Sequence, residues 1–264
     1  MKEGVFLEYL NFAEFYDALT ENVEYPKRAQ RIDFLIKKYL HTDTDGRLLL
    51  DLACGSGSLS EELAKLNYDV IGVDNSPAML NQAMLKKLKS QLPIQYLCQD
   101  MKELDMFGTI DVTVCTLDSL NHLKDADEIQ QVINKVSLFA QPGGLFIFDM
   151  NTLYKHHEIL KDKIFLYDTE QVFCTWENRL HGDTVEMQLT FFAHDEESDS
   201  YYRSDEFITE TAYPVDLIEE IIKKAGLELL AEFDADNNLD VPEQLSPVSE
   251  TTQRILFVTQ KPLI

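Results

Sequence analysis

Apolar residues along the chain follow two different periods, and the change between them divides it. From residue 48 to 150, short continuous apolar runs alternate with segments whose apolar residues recur at helical spacing. The runs Leu48–Leu52, Val70–Val73, Ile94–Cys98, Ile110–Thr116 and Leu145–Phe148 read as strands buried on both faces. Between them, Leu59, Leu63 and Leu66 form one helical stripe, Met79, Leu80 and Ala83 a second, and Ile129, Val132, Ile133 and Val136 a third. Ser76 followed by Pro77 suits a helix start, and Pro142-Gly143-Gly144 suits a stop. Strand and helix in alternation predict an α/β chain with a doubly wound, mostly parallel sheet.

Two helices precede this region. One spans about residues 4–20, with Phe12, Phe15, Tyr16 and Leu19 on its apolar face, and the other runs from Pro26 to Leu40. Residues 41–46 turn into the first strand. After residue 164 the period drops to two, as in Val172-Phe173-Cys174-Thr175-Trp176, with turns signalled at His181-Gly182-Asp183 and in the acidic run 195–199. That pattern predicts an antiparallel insertion of three or four strands over about 164–213. A helix after Pro214 and two strands, Leu227–Phe233 and Arg254–Gln260, complete the sheet, with a polar, mobile loop between them. The reading is one domain, 1–264: a helical cap (1–41), a core (46–151 and 213–264) and the insertion.

Charge narrows the partners. The formal net charge is −24, so the chain repels phosphate backbones, and no Lys/Arg-rich run offsets the field. A small neutral or cationic ligand fits better than a nucleic acid. The four cysteines lack metal-like spacing, so no metal site is expected; the polar opening residues read as no signal peptide, and no apolar run in the sequence reaches membrane-spanning length. The expectation is a cytoplasmic protein, monomer or homodimer. His156-His157 lacks the i, i+4 spacing of a helical metal site and reads as surface.

Candidate chemistry gathers after the strands. The first runs through Asp51 into a turn with Gly55 and Gly57, where a Cβ would obstruct a ligand approaching the backbone. Asp51 can reach the turn or a cationic ligand. Asp74 ends the second strand, placed to accept from ribose hydroxyls, and Asp100 follows the third, placed for an adenine amino group. Met101 can offer its N–H to a ring nitrogen, and Met79 is either core or an adenine contact. Glycine turn and Asp74 together also fit NAD and an oxidoreductase. Ser60 in place of a third glycine, and Asp100, favour a different adenosyl cofactor.

The stretches Asp51-Leu-Ala-Cys-Gly-Ser-Gly57, Val73-Asp-Asn-Ser-Pro-Ala-Met-Leu80, Gln99-Asp-Met101 and Leu138-Phe-Ala-Gln-Pro-Gly-Gly-Leu-Phe146 resemble those of the class I S-adenosylmethionine-dependent methyltransferases. Phe12-Ala-x-x-Tyr-Asp17, Leu117-Asp-Ser-Leu-Asn-His-Leu123 and the final Gln253-Arg-Ile-Leu-Phe-Val-Thr-Gln-Lys261 resemble a small bacterial branch of that family. The resemblance implies a Rossmann-like seven-stranded sheet of order 3-2-1-4-5-7-6 and S-adenosylmethionine as cofactor. It implies cofactor contacts from Tyr16, Asp51, Ala53, Gly55, Ser56, Gly57, Asp74, Asn75, Met79, Asp100, Met101 and Leu117. Tyr16 would lie over the cofactor's methionine end or else be a core residue, and Tyr25 and Arg31 share that status.

The acceptor would be a small molecule facing Asp118, Asn121 and His122 beyond the fourth strand, with Asn151 after the fifth. His122 is the first choice of base and Asp118 the second. Arg203 and Glu206 on the insertion select the acceptor or merely form a surface pair, as do Glu186 and Gln188. A non-catalytic S-adenosylmethionine-binding protein stays open on sequence.

Overall fold

The computed structural model describes residues 11–40, 46–170, 172–195 and 200–263. Residues 4–10 of the expected first helix, the turn at 41–45 and most of the 195–199 run lie outside them. The elements in chain order are α1 (Asn11–Leu19), α2 (Tyr25–Leu40), β1 (Leu48–Leu52), α3 (Ser58–Lys65), β2 (Asp69–Asp74) and α4 (Pro77–Ser90). There follow β3 (Gln95–Cys98), β4 (Ile110–Cys115), α5 (Ala126–Phe139), β5 (Ala140–Asn151), β6 (Ile164–Asp168), β7 (Val172–His181) and β8 (Thr184–Asp195). Last come β9 (Ser200–Thr211), α6 (Val215–Lys224), β10 (Glu228–Asp234) and β11 (Arg254–Gln260).

Seven strands form one sheet in the order β10-β11-β5-β4-β1-β2-β3, with β11 antiparallel to both of its neighbours and the rest parallel. Counting only this sheet's strands, the order is the expected 3-2-1-4-5-7-6. Adjacent residues of one strand feed opposite layers, because strand side chains alternate. Leu49, Val70, Val112 and Ile147 pack under α2 and α3, while Leu50, Val73, Phe146 and Phe148 pack under α5 and α6. Phe148 stacks between Phe146 and Phe257, with ring centroids 4.7 and 4.9 Å away. Helix starts follow their caps: Ser76 Oγ accepts the Met79 N–H at 3.3 Å, and Asp125 accepts the Glu128 N–H at 3.0 Å.

The insertion is a second sheet, β6-β7-β8-β9, antiparallel throughout. On β8 the odd residues Val185, Met187, Leu189 and Phe191 are buried, and α1 covers them with Phe15 and Leu19. Helix α1 therefore belongs to the insertion's core while lying across the edge of the main sheet. The connection between β10 and β11, expected to be loose, is tied down. Arg31 donates to the carbonyls of Asn237, Asn238 and Val241, and Arg28 pairs with Asp236 at 2.6 Å. No helix among the described residues is long and apolar enough to cross a membrane.

Candidate active site

β1 has β2 on one side and β4 on the other, so the chain leaves its carboxyl end at the point where the order of connection reverses. A crevice opens there in any doubly wound sheet. After Leu52 the backbone enters the left-handed region at Ala53 (φ 60°), Gly55 (54°) and Gly57 (76°). An alanine there is strained and must be held by its surroundings. The holding bonds are Cys54 N–H to the Val73 carbonyl at 3.0 Å and Gly55 N–H to Asp74 Oδ2 at 2.8 Å. The two glycines answer different needs. A Cβ on Gly55 would meet no protein atom within 4 Å, so it would occupy the crevice; one on Gly57 would strike the Tyr96 hydroxyl and Ala83.

The crevice holds about 330 Å³ and is lined by Tyr16, Asp51, Ala53, Gly55, Ser56, Asp74, Asn75, Met79, Met101 and Leu117, among others. Tyr25 joins them, whereas Arg31 is buried elsewhere, on the carbonyls just described. Asp51 is buried and accepts the Ser60 hydroxyl at 2.5 Å. Burial pushes its carboxyl up to about 7, opposed by the Ser60 bond and helped by Asp74. Burial also raises the Asp74 carboxyl, against the N–H groups of Ser76 and Gly55. Both acids therefore gain from a cation arriving beside them. Two expected contacts do not line the crevice. Gly57 acts in packing, and Asp100 turns away, accepting the Lys102 N–H at 2.8 Å to cap a helical turn over Met101–Glu103.

Helix α1 roofs the crevice and is stapled to the glycine turn. Asp17 accepts the hydroxyls of Ser56 (2.6 Å) and Ser58 (3.2 Å) and pairs with Lys86 of α4 at 2.5 Å. No sequence signal had singled out Asp17 for this task.

A second chamber of about 360 Å³ lies beside the first, under the antiparallel sheet. Its wall is aromatic, with Phe12, Tyr16, Phe165, Tyr167 and Trp176, and its floor is polar, with Asp118, Asn151, Lys155, Glu210 and Arg254. Phe12, Tyr16, Leu117, His122 and Ile208 line both chambers. Leu117 and Asp118 follow β4 with φ of 57° and 56°. The buried Asp149 carboxylate holds this strained pair by accepting both N–H groups, at 3.0 and 2.7 Å.

The floor is a network of buried charge. Arg254 approaches Asp118 (3.2 Å), Asp149 (3.8 Å) and Asp236 (3.7 Å) and donates to Asn151 at 3.3 Å. Asn151 donates to Asp118 and to Glu210 Oε2, the latter at 2.8 Å, and accepts from Lys155 at 2.8 Å. Burial disfavours the Asp118 charge, but Arg254, Lys155 and His122 outweigh it and hold its carboxyl well below the usual range. An ion-paired, strongly acidic carboxyl takes up protons poorly, which weighs against the reserve-base role expected of Asp118.

Other expectations also change. Asn121 is fully buried and lines neither chamber; it bonds the backbone of Asn151 and Thr211, joining β5 to β9. Arg203 faces away and pairs with Asp205 at 2.8 Å. Glu206 is inward in register, beside Leu189, but beyond the chamber, where Glu210 is the carboxylate that reaches it. Glu186 and Gln188 fall on the outer face, facing His181 and Asp205. His156, expected at the surface, is fully buried, with Nδ1 on the Asp183 carbonyl at 2.9 Å and Nε2 3.6 Å from Glu210. Glu210, Lys155, Arg254 and, of the aromatic wall, Phe165, Tyr167 and Trp176 are absent from the sequence-based candidates. The inward parity of β7 and β9 was the available signal for Trp176 and Glu210.

Residues 49–144 match a family model described as "Methyltransferase domain". A Geobacillus sp. (strain WCH70) protein named "Putative methyltransferase" is 31% identical over 97% of this chain and 100% of its own. The crystal structure of an S-adenosylmethionine-dependent methyltransferase from Clostridium acetobutylicum superposes with a TM-score of 0.81 at 34% identity, over 95% of this chain and 98% of that one. An S-adenosylmethionine-bound amino pentose methyltransferase from Micromonospora echinaspora shares the fold, with a TM-score of 0.70 at 20% identity over 93% and 96% of the two chains. Likeness that runs the length of the chain, and not only through its glycine turn, decides between the nucleotide cofactors the turn alone had left open: the chain belongs to the class I S-adenosylmethionine-dependent methyltransferases.

Proposed function

We propose that the crevice beside the glycine turn holds S-adenosylmethionine and that the aromatic chamber holds a small-molecule methyl acceptor. The observation that carries this reading is the shared wall: Tyr16, Leu117 and His122 border both volumes, so groups placed in each can meet there. The donor set fits the cofactor. Asp74 can accept from ribose hydroxyls, Asp51 can receive the methionine ammonium, Gly55 leaves room, and the Tyr16 ring offers a π face to a sulfonium.

When bound, the cofactor supplies an electrophilic methyl group on a good leaving group. The protein then has to align the acceptor, keep water away and remove a proton where one is lost. His122 has the tautomer for that last task. Its Nδ1 lies 3.2 Å from the Thr209 carbonyl, which can only accept, so in the neutral ring Nδ1 carries the hydrogen and Nε2 has the lone pair. A volume of about 360 Å³ suits a metabolite-sized acceptor.

Calorimetry tests the reading. The chain should bind S-adenosylmethionine and its demethylated product, S-adenosylhomocysteine, and should not bind NAD. Asp74→Ala should weaken both adenosyl ligands by ~1.5–3 kcal/mol, or about ten- to a hundredfold. Tight NAD binding without adenosyl-cofactor binding defeats the assignment, and an unchanged affinity in Asp74→Ala places the ribose elsewhere.

A further inference from the structure

The floor of the acceptor chamber is asymmetric in its unused hydrogen-bonding capacity. Arg254 is spent on Asp118, Asp149, Asp236 and Asn151, and Lys155 gives one of its three N–H donors to Asn151. On the acceptor side, Glu210 is the carboxylate with an oxygen to spare. Its Oε2 accepts from Asn151 at 2.8 Å, while Oε1 has no donor among the described residues and lies 3.8 Å from His122 Nε2. With Nδ1–H of a neutral His122 directed to the Thr209 carbonyl, Nε2 and Glu210 Oε1 are two acceptor atoms facing one another at the edge of the chamber. Two lone pairs at that spacing call for a donor between them, and one with several N–H groups serves both. Behind Glu210, His156 Nε2 has no hydrogen-bond partner among the described residues and lies 3.6 Å from Glu210 Oε2, with Nδ1 on the Asp183 carbonyl.

We propose, on the reading that this chamber is the acceptor site, that the acceptor is an amine that arrives as an ammonium ion, anchored by Glu210 and deprotonated by His122. The aromatic wall of Phe165, Tyr167 and Trp176 suits a cationic group with an apolar body. The net charge of −24 steers cations inward and carboxylates away. His122 Nε2 takes one N–H proton, which frees the nitrogen lone pair. That pair forms the new N–C bond while the methyl carbon's bond to sulfur breaks and its electrons stay on sulfur. The methylated ammonium leaves with its charge, and His122 returns its proton to water.

The test uses the full chain saturated with S-adenosylhomocysteine and three probes of one shape: benzylammonium, benzyl alcohol and benzoate. Benzylammonium should bind at least about tenfold more tightly than either of the others. Glu210→Gln, which keeps an oxygen for Asn151, should abolish that preference, and its S-adenosylhomocysteine binding reports that it has folded. Should Glu210→Gln fail to fold, Glu210→Asp, with a shortened carboxylate, should reduce the preference instead. Equal or tighter binding of the alcohol, tighter binding of benzoate (the result if Lys155 were the anchor), no benzylammonium binding at millimolar concentration, or a preference that survives at residue 210 would each overturn the proposal. Failure of S-adenosylhomocysteine itself to bind would instead defeat the cofactor assignment.

Discussion

The two chambers touch, yet they are built by different means. The cofactor crevice takes most of its shape from one run of chain, Asp51 to Met79, and its key contacts are local: Gly55 N–H on Asp74, Ser60 on Asp51, Ser76 at the start of α4. The acceptor chamber takes its floor from Asp118, Asn151, Lys155, Glu210 and Arg254, which reach it from the turn after β4, from β5, from the helical segment Lys155–Leu160, from β9 and from β11. The first is backbone geometry with two reluctant acids. The second is buried charge balanced among distant segments. A sheet edge can thus offer a general-purpose ligand site from local sequence, whereas a chamber for one acceptor has to be assembled by the whole fold.

That contrast can be attacked directly. The largest effect should come from Arg254→Met, which leaves Asp118, Asp149 and Asp236 without their shared cation. Breaking a buried pair in this way should cost ~3–5 kcal/mol of stability in urea unfolding. A loss below ~1 kcal/mol would show that the floor is far less interdependent than its contacts imply.

A smaller effect should come from Asp51 and depend on pH. Its carboxyl titrates at about 7 in the folded chain, and a bound ammonium favours its ionised form. S-adenosylmethionine affinity should therefore rise with pH through about 7, with proton release seen by calorimetry in buffers of different ionisation enthalpy. The unfolded chain ionises this carboxyl near ~3.9, so between there and about 7 the folded state binds more protons and stability falls as pH rises. Asp51→Asn should flatten both dependences and raise the Tm at pH above about 7. A pH-independent affinity in the parent chain assigns the ammonium to another group. The smallest effect on the cofactor side should be that of His122→Ala: turnover falls while S-adenosylhomocysteine affinity stays within about threefold, under ~1 kcal/mol. Unchanged turnover would reduce His122 to a wall residue.

What could be read from sequence follows the same division. The sheet order, the glycine turn, Asp51 and Asp74 were legible because strand, turn and acid are neighbours in the chain, and their spacing is set by one βαβ unit. Asn121 and Asn151 looked alike as polar residues after strands, but only register decides that Asn121 points at backbone and Asn151 at the floor. Arg203 was chosen for its charge when the parity of β9 turns it outward. His156 looked exposed beside His157 because nothing local marks the one that packs under β8. Asp100 was placed correctly after its strand, and a competing bond to its own turn took the side chain away.

Five residues, Phe12, Tyr16, Leu117, His122 and Ile208, stand in the walls of both chambers. Trp176 and Tyr167 line the aromatic chamber alone, so on the proposed assignment changes there would alter acceptor fit and leave the cofactor crevice as it is. Changes at the shared five are answerable to two ligands at once. On the proposed assignment, β6 and β7 are the place to begin when redirecting this enzyme, and α1 and the β4 turn are the place to leave alone.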